Sequence, residues 1–201
     1  GRAQRFKRGQ ALFTEGDRGE RVFVIEGGRV LVSCVASNGR ELVLNICGPG
    51  ELLGEVSALD GEPRSATATA IDEAHVTVCA VSVLLSAVDD PVAAREVTRM
   101  LAARLREADR KRLEFAALDT LGRVAWRVLE LIDRFGEPDG DGTAIDMPLS
   151  QEQLASWCGA SREATVKALT RLRTLGIVTT GRQRIVVGDP AALRRLANGR
   201  A

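Results

Sequence analysis

The 201-residue chain is 45% hydrophobic and 27% charged, with a formal net charge of +1, which is typical of a globular protein of one large or two small domains. No apolar run approaches the roughly 18 residues of a membrane span and no charged-then-apolar leader opens the chain, so a membrane protein is disfavoured and the cytoplasm is expected. One histidine, His75, and four widely separated cysteines disfavour a zinc site, an iron–sulfur cluster and a haem sensor. The cysteines, interpreted as reduced and mostly buried thiols, are Cys34, Cys47, Cys79 and Cys158.

Positive charge is concentrated at the C-terminal end of the chain. Residues 161–201 contain nine Lys or Arg and two acidic residues, whereas residues 119–160 contain three basic and eight acidic residues. A basic block at the end of a nearly neutral chain favours contact with a polyanion. Charge alone fits an ordinary solvated face equally well, so the motifs must decide between the two interpretations.

Up to about residue 88, short β-rich runs alternate with glycine turns. The clearest runs are residues 21–25, 28–32, 41–45 and 75–78. Regular spacing of this kind predicts an antiparallel β-sandwich or barrel, with tight hairpin turns at Gly27-Gly28 and Asn38-Gly39. Because each connection is short, strands that are neighbours in the sequence are expected to pair.

A long helix is predicted after Pro91, which suits a first helical turn, because no further Gly or Pro occurs before Gly122. Small or apolar residues recur along it at spacings of three, four and seven between charged flanks, which is typical of a seam between two helices. The alternative is that one face packs on the chain's own β-domain, but a helix of about seven turns is too long for one small barrel to cover. The predicted seam comprises Val97, Leu101, Leu105, Ala108 and Phe115.

The domain boundary is predicted near Asp119, where the helical pattern is interrupted. A second helix is expected over residues 123–135, followed by an acidic, glycine-rich loop over residues 136–142. The chain after this loop carries the basic block, so the polyanion contact is expected in the last third of the protein.

Two short helices joined by a tight turn are predicted next. Ser150, with Gln153 three residues later, has the pattern of a capping box, and the helix that it opens ends near Gly159. Ser161 caps the second helix, which Gly176 closes. The buried stripe of this second helix is predicted to comprise Thr165, Ala168, Leu169, Leu172 and Leu175.

A wing follows, because residues 177–179 and 184–187 flank a turn at Gly181-Arg182. Two helices with a basic hairpin make a winged helix-turn-helix, whose second helix lies in the major groove of DNA. Arg and Lys donate to guanine and Glu accepts from cytosine, so this helix is suited to a G·C-containing half-site, with a surface salt-bridge network as the alternative. The predicted base readers are Arg162, Glu163 and Lys167, and the predicted phosphate contacts are Arg171, Arg173, Arg182 and Arg184.

The most specific stretch of the first half runs from Gly54 to Thr67. A glycine at the start of a short helical turn frees backbone N–H groups for an anion, and Arg64 with Ser65 can donate to phosphate oxygens. Glu55 is then free to accept a hydrogen bond from a sugar hydroxyl. Considered alone, these residues also fit a plain surface turn.

The chain as a whole resembles the Crp-Fnr family of bacterial transcription regulators, which includes the cyclic-AMP-dependent catabolite activator protein. Gly54-Glu55 and Arg64-Ser65 look like the phosphate-binding cassette of cyclic-nucleotide-binding domains. Leu118-Asp119 with residues 122–125 resembles the family's hinge, and residues 159–163 resemble the start of its recognition helix. The resemblance implies an α+β fold with a jelly-roll-like antiparallel β-barrel sensor over residues 1–90, a dimerisation helix over residues 91–118 and a winged helix-turn-helix over residues 119–201.

By this resemblance, Glu55 holds a ribose 2′-hydroxyl, and Arg64 with Ser65 holds the cyclic phosphate. The hinge is assigned to Asp119, which transmits the state of the sensor to the DNA-reading domain. The cyclic-nucleotide site is assigned to Gly54, Glu55, Val56, Arg64, Ser65 and Asp109. The DNA site is assigned to Ser161, Arg162, Glu163, Lys167, Arg171, Arg182 and Arg184.

One position departs from the family's pattern. Ala108 and Asp109 occupy the part of the long helix where cyclic-AMP-responsive members place hydroxyl side chains that meet adenine; Asp109 can accept from an exocyclic amine, but Ala108 cannot replace a hydroxyl. The expected effector is a cyclic nucleotide, with cyclic AMP the first choice. The alternative is a Crp-Fnr-type regulator that binds DNA and responds to another ligand or to none.

The expected partners are a palindromic double-stranded DNA operator, a second copy of the chain in a homodimer and, as a further candidate, RNA polymerase. A cyclic-nucleotide regulatory subunit acting on a protein partner is less favoured because it would leave the basic wing incidental. An enzyme is disfavoured because no nucleophile–base pair, metal cluster or carboxylate pair emerges from the sequence.

Overall fold

The computed structural model describes residues 1–146 and 148–199 and divides into two compact units, residues 1–108 and residues 109–201. The first unit carries two antiparallel four-stranded sheets, with strand orders β1-β8-β3-β6 and β2-β7-β4-β5. With the helices this gives the predicted α+β class. The strands are β1 Arg2–Phe6, β2 Ala11–Phe13, β3 Arg21–Gly27, β4 Val30–Val35, β5 Glu41–Cys47, β6 Leu52–Leu53, β7 Thr67–Ala70 and β8 Ala74–Ala80.

The two sheets form a jelly-roll-like sandwich; hydrogen bonds do not close them into the expected barrel. The prediction that sequence neighbours pair is wrong for most of these strands, since within this unit only β4 and β5 do so. The chain passes between the sheets instead, so β3 pairs with β8 and β6, and β2 pairs with β7. Apolar side chains from both inner faces, such as Ile25, Val30 and Val76, fill the core between them.

Three helices follow or interrupt the strands: α1 Glu55–Asp60, α2 Val81–Val88 and α3 Pro91–Ala117. The β-rich interpretation of residues up to 88 missed α2, which begins directly after β8. α3 is the predicted long helix of 27 residues, and Glu114 is the only one of them that is buried. Leu105 and Leu113 are 62% and 68% exposed, so this helix carries apolar surface that the described residues leave uncovered.

The second unit contains the end of α3, four further helices and one sheet of order β11-β12-β10-β9. Its elements are α4 Thr120–Phe135, β9 Glu137–Asp139, β10 Gly142–Asp146, α5 Gln151–Trp157, α6 Arg162–Thr174, β11 Val178–Gly181, β12 Arg184–Val187 and α7 Pro190–Ala197. α7 was not anticipated from the sequence, although Asp189 caps it and Pro190 occupies its first turn.

Three boundaries in this unit differ from the predictions. α4 begins at Thr120 rather than Arg123, because the Asp119 side chain accepts from the Gly122 backbone N–H at 2.8 Å and caps the helix. The expected loop over residues 136–142 is instead a hairpin of β9 and β10. The wing turns at residues 182–183, where Gln183 has φ of 56°, so Gly181 belongs to β11.

Candidate anion cassette and nucleic-acid interface

Gly54 provides the tight approach of the cassette. It precedes α1 with φ of 81°, in the left-handed region that favours glycine. A Cβ at this position would overlap the guanidinium of Arg64. Glycine therefore allows both the backbone conformation and the close packing of Arg64 beneath the start of α1.

The Arg64 side chain is 4% exposed and is held by backbone carbonyls rather than by a carboxylate. One terminal nitrogen donates to the Gly54 carbonyl at 2.8 Å, and the other donates to the Arg21 carbonyl. The guanidinium lies 4.4 Å from the centre of the Phe13 ring, and its Nε is buried without a partner among the described residues. Burial lowers the pKa of Arg64, and the negative charges of Glu55 and Asp17 oppose that shift.

Glu55, the first residue of α1, is 1% exposed, and the structure corrects the expectation that it is free. Its Oε1 accepts a hydrogen bond from Arg104 of α3, which also donates to the Leu52 carbonyl. Arg104 is therefore a cassette residue that sequence reasoning missed. In the sequence it is one of the charged residues that flank the apolar positions of the long helix. Only its contact with Glu55 in the folded chain distinguishes it from the other charged residues.

The other predicted cassette residues are exposed. Val56 is 42% exposed, and Ser65 lies at the surface one residue after Arg64. Asp109 makes an ion pair with Arg112, one helical turn along α3, at 3.1 Å, and its side chain is 56% exposed. The structure thus brings Gly54, Glu55 and Arg64 together, with Ser65 at the edge of that group.

The two helix starts of the DNA-reading module are built as predicted. Ser150 Oγ accepts from the Gln153 backbone at 3.0 Å while the Gln153 side chain accepts from the Ser150 backbone at 2.9 Å, which completes the capping box of α5. Ser161 Oγ accepts from the Ala164 backbone N–H at 3.1 Å and caps α6. Between these helices Gly159, with φ of 58°, turns the chain beside the Phe115 ring, which a Cβ would overlap.

The outer face of α6 is exposed over its whole length. Of the predicted inner stripe, Thr165, Ala168 and Leu172 are buried, whereas Leu175 is 45% exposed; the prediction for Leu175 is therefore wrong, because α6 ends at Thr174 and Leu175 lies in its C-terminal cap. The exposed residues include five of the seven assigned to DNA: Ser161, Arg162, Glu163, Lys167 and Arg171.

The remaining predicted phosphate contacts lie on the wing and at the end of α6 beside it. Arg182 is exposed at the turn of the wing. Arg184 makes ion pairs with Asp139 at 3.1 Å and Asp146 at 3.4 Å, and its hydrogen bond with Asp139 raises its pKa. Arg173 donates to Thr170 of its own helix at 2.9 Å and lies 3.4 Å from Thr180 of the wing. A groove of about 390 Å³ separates α6 from the wing and is edged by these arginines.

A chain of alternating charges, hereafter the ionic chain, joins the end of α3 to α4. Arg127 of α4, 1% exposed, donates to Glu114 of α3 and to Glu130 of α4, both at 2.5 Å. The outer members extend this alternation, since Arg110 lies 3.2 Å from Glu114 and Arg134 lies 3.7 Å from Glu130. The ionic chain consists of Arg110, Glu114, Arg127, Glu130 and Arg134, and sequence reasoning missed it.

The part of the chain that the structure describes offers neither a metal site nor a membrane-spanning helix. No group of three or more His, Cys, Asp or Glu side chains there could hold a metal ion. No helix among residues 1–146 and 148–199 is both long enough and apolar enough to cross a membrane.

Two family models match the chain: a cyclic nucleotide-binding domain over residues 3–90 and a Crp-like helix-turn-helix domain over residues 122–196. A "CRP-like cAMP-activated global transcriptional regulator" of Mycobacterium tuberculosis is 35% identical over 193 residues, covering 96% of this chain and 86% of that protein. A "Cyclic AMP receptor protein" of Thermus thermophilus is 30% identical, covering 98% of this chain and 88% of that protein. The crystal structure of a CRP-family transcriptional regulator from Thermus thermophilus matches with a TM-score of 0.84 at 28% identity, over 98% of this chain and 97% of that chain.

Proposed function

The chain belongs to the Crp-Fnr family of DNA-binding transcription regulators and carries a cyclic nucleotide-binding domain, and we propose that cyclic AMP is the nucleotide that controls it. Two relatives, a cAMP-activated regulator and a cyclic AMP receptor protein, support this choice. We propose the domain limits as residues 1–90 for the sensor, 91–118 for the dimerisation helix and 119–201 for the winged helix-turn-helix.

The observation that carries the proposal is the state of Arg64. Its guanidinium is buried against two carbonyls and two aromatic rings without an ion-pair partner among the described residues. A buried cation without a counter-ion is costly, and a cyclic phosphate that reaches this site supplies the missing negative charge. Ser65 and the backbone N–H groups that follow Gly54 add donors for the same anion.

Glu55 and Arg104 connect that site to α3. A ribose 2′-hydroxyl that donates to Glu55 competes with Arg104 for the same buried carboxylate. Ligand binding then changes a contact between the cassette and α3. A ligand shifts the equilibrium between two conformations of a protein only when it binds one of them more tightly, and this contact can supply that difference in affinity. Asp109 is proposed to face the base, and Asp119 to act as the hinge between α3 and α4.

The DNA half of the proposal assigns base reading to Arg162, Glu163 and Lys167. These residues lie on the exposed face near the start of α6, where the recognition helix of a helix-turn-helix contacts base edges. Arg171, Arg173, Arg182 and Arg184 are proposed to contact phosphates, and Ser161 is proposed as a further residue of the DNA site.

A homodimer is proposed because the C-terminal half of α3 exposes the apolar residues Leu105, Leu113 and Phe115, whereas Val97 of the predicted seam packs against the chain's own first unit. Two copies that pack along α3 would present two recognition helices, which must lie about 34 Å apart to enter successive major grooves of a palindromic operator. RNA polymerase is proposed as the further partner of the DNA-bound dimer.

Ala108 favours a second candidate: a regulator of the same type that responds to a different ligand or to none. An alanine methyl offers no hydrogen bond to an adenine edge. The two candidates share the DNA-reading half and differ only in what the cassette binds.

Calorimetric titration of the purified chain with cyclic AMP, cyclic GMP and a cyclic dinucleotide separates these candidates. We expect micromolar or tighter binding of cyclic AMP, lost in Arg64→Ala and retained in Arg40→Ala, a control at an exposed arginine of the β4–β5 turn. Tighter binding of another nucleotide, or binding of none of the three, would replace cyclic AMP with the second candidate.

A further inference from the structure

Arg162, the first residue of α6, is connected to the neighbouring helix. Its Nε donates to Gln151 Oε1 at 3.1 Å, and its nearer terminal nitrogen lies 3.8 Å from the Glu152 carboxylate, too far for a hydrogen bond. Gln151 was assigned no role by the sequence, yet among the described residues it is the hydrogen-bond partner of the Arg162 guanidinium.

Both ends of this hydrogen bond stand on fixed backbone. Gln151 begins α5 directly after Ser150, whose capping box with Gln153 sets the first turn of that helix. Arg162 begins α6 directly after its own cap, Ser161. A hydrogen bond between two capped helix starts restricts the rotamers of a long side chain that solvent would otherwise leave free.

The atom that Gln151 engages decides the chemical consequence. A guanidinium offers five N–H donors, and Nε–H points to the side of the group, away from the pair of N–H groups at its far end. An amide oxygen on Nε–H therefore occupies the side of the group and leaves free the end-on fork formed by one N–H of each terminal nitrogen, and this fork matches the O6 and N7 acceptors of guanine in the major groove. A carboxylate across the terminal nitrogens would instead compete with the base.

We propose that Gln151 is a positioning residue, which holds Arg162 by Nε so that its two terminal nitrogens point at a guanine of the operator. This inference rests on the proposed function, in which Arg162 reads a base. Gln151 acts through Arg162 and need not touch DNA itself, so its contribution is to the preference for one base pair rather than to affinity for all DNA.

The test uses the full chain with its effector and a duplex selected by that protein from a randomised library. Arg162→Ala first identifies the guanine that Arg162 reads, because replacing that guanine in the duplex no longer lowers the affinity of this variant. Gln151→Met, which keeps the length of the side chain but removes the acceptor, is expected to reduce the preference for that guanine by about three- to tenfold, as for the loss of one modest hydrogen bond. Gln151→Glu, which keeps the acceptor, retains the preference even though its charge weakens binding to every duplex. The matched control is Glu152→Gln, which removes the neighbouring charge and leaves the preference within about twofold, since an exposed pair at this distance contributes little.

A double variant separates positioning from direct contact. If Gln151 acts through Arg162, Gln151→Met has no further effect in the Arg162→Ala background. A loss that persists there, or that is equal for all duplexes, would mean that Gln151 contacts DNA itself, and the inference would be wrong while the proposed base readers stand. If Arg162→Ala changes no base preference, the assigned reader fails and the inference fails with it.

Discussion

Among the described residues, each unit of the molecule buries one arginine, and the two arginines are satisfied in different ways. Arg127 in the second unit lies between Glu114 and Glu130 at 2.5 Å from each carboxylate. Arg64 in the first unit has backbone carbonyls and ring faces around its guanidinium and no ion-pair partner among the described residues, while the Nε of both arginines is buried without a partner in the described chain. Both are at least 96% buried, so burial alone does not distinguish a structural cation from a binding one. The partners do: Arg127 is compensated by two carboxylates within the fold, whereas Arg64 has capacity for an external anion.

Among the variants that test this contrast, the largest loss of stability is expected at Arg127. Arg127→Met removes the buried cation that lies between two buried carboxylates and leaves each of them only its outer arginine, and we expect the free energy of unfolding to fall by about 3–5 kcal/mol. Urea denaturation followed by tryptophan fluorescence measures this loss, since Trp157 lies beside Arg127. Arg112→Met, which breaks an exposed pair with Asp109, is the control and should cost less than about 1 kcal/mol.

A triple variant sharpens the result. Replacing Glu114, Arg127 and Glu130 together by apolar residues of similar size removes the buried charges as a set, which is often neutral or stabilising for such networks. Recovery of stability in the triple variant would assign the loss in Arg127→Met to the two orphaned carboxylates. No recovery would mean that packing around Arg127, rather than charge, supports this part of the fold.

The next effect is at Arg64, where we expect ligand binding to weaken clearly and the free energy of unfolding to change less. Arg64→Met removes donors to the Gly54 and Arg21 carbonyls but also removes an uncompensated buried charge, so we expect a smaller loss of unfolding free energy than in Arg127→Met. Binding of cyclic AMP should weaken by about 1.5–3 kcal/mol for each charged hydrogen bond lost to the phosphate. Calorimetry and denaturation on the same preparation measure both quantities. A stability loss as large as that of Arg127→Met would contradict the contrast between the two arginines.

A smaller effect is expected at Arg104, which holds Glu55. Arg104→Met removes the competitor for that carboxylate, so the effector should still bind, while its influence on DNA affinity should shrink by about 1–3 kcal/mol, the usual size of such a coupling. DNA binding measured with and without cyclic AMP gives this coupling free energy. Arg106→Met, at an exposed position on the same helix, is the matched control. Unchanged coupling in Arg104→Met would remove the Glu55–Arg104 pair from the signalling route.

These contacts also show which features can be predicted from the sequence and which cannot. Helix starts were predictable because a cap such as Ser150 or Ser161 acts within four residues of its own position. Strand pairing was not, because the partner of β3 is β8, some fifty residues away, and nothing local selects between it and β4. The cassette was recognisable through the glycine, glutamate and arginine of its motif. Arg104 and Arg127 were not, since a helical arginine that pairs with a carboxylate in the fold has the same residue type and spacing as the exposed arginines around it.

The smallest expected effect concerns Cys158, whose accessibility to a thiol reagent indicates whether the ionic chain stays intact. Burial raises the pKa of this thiol from 9.0 to about 12, against the opposing influence of Arg127 and Arg123. The neutral thiol is the form that the fold favours, so its stabilising contribution is complete below pH 9 and declines as the pH rises above it, when the unfolded thiol ionises first.

At about pH 8, below both values, we therefore expect iodoacetamide to modify the half-buried Cys34 and Cys79 well before Cys158, as measured by peptide mass spectrometry. Arg127→Met should accelerate modification of Cys158 by opening its surroundings, whereas Arg64→Met should leave it unchanged, because its effect is confined to the other unit. Equal acceleration by both variants would mean that the two buried arginines support a single cooperative structure, and the division between a structural and a binding arginine would then not hold.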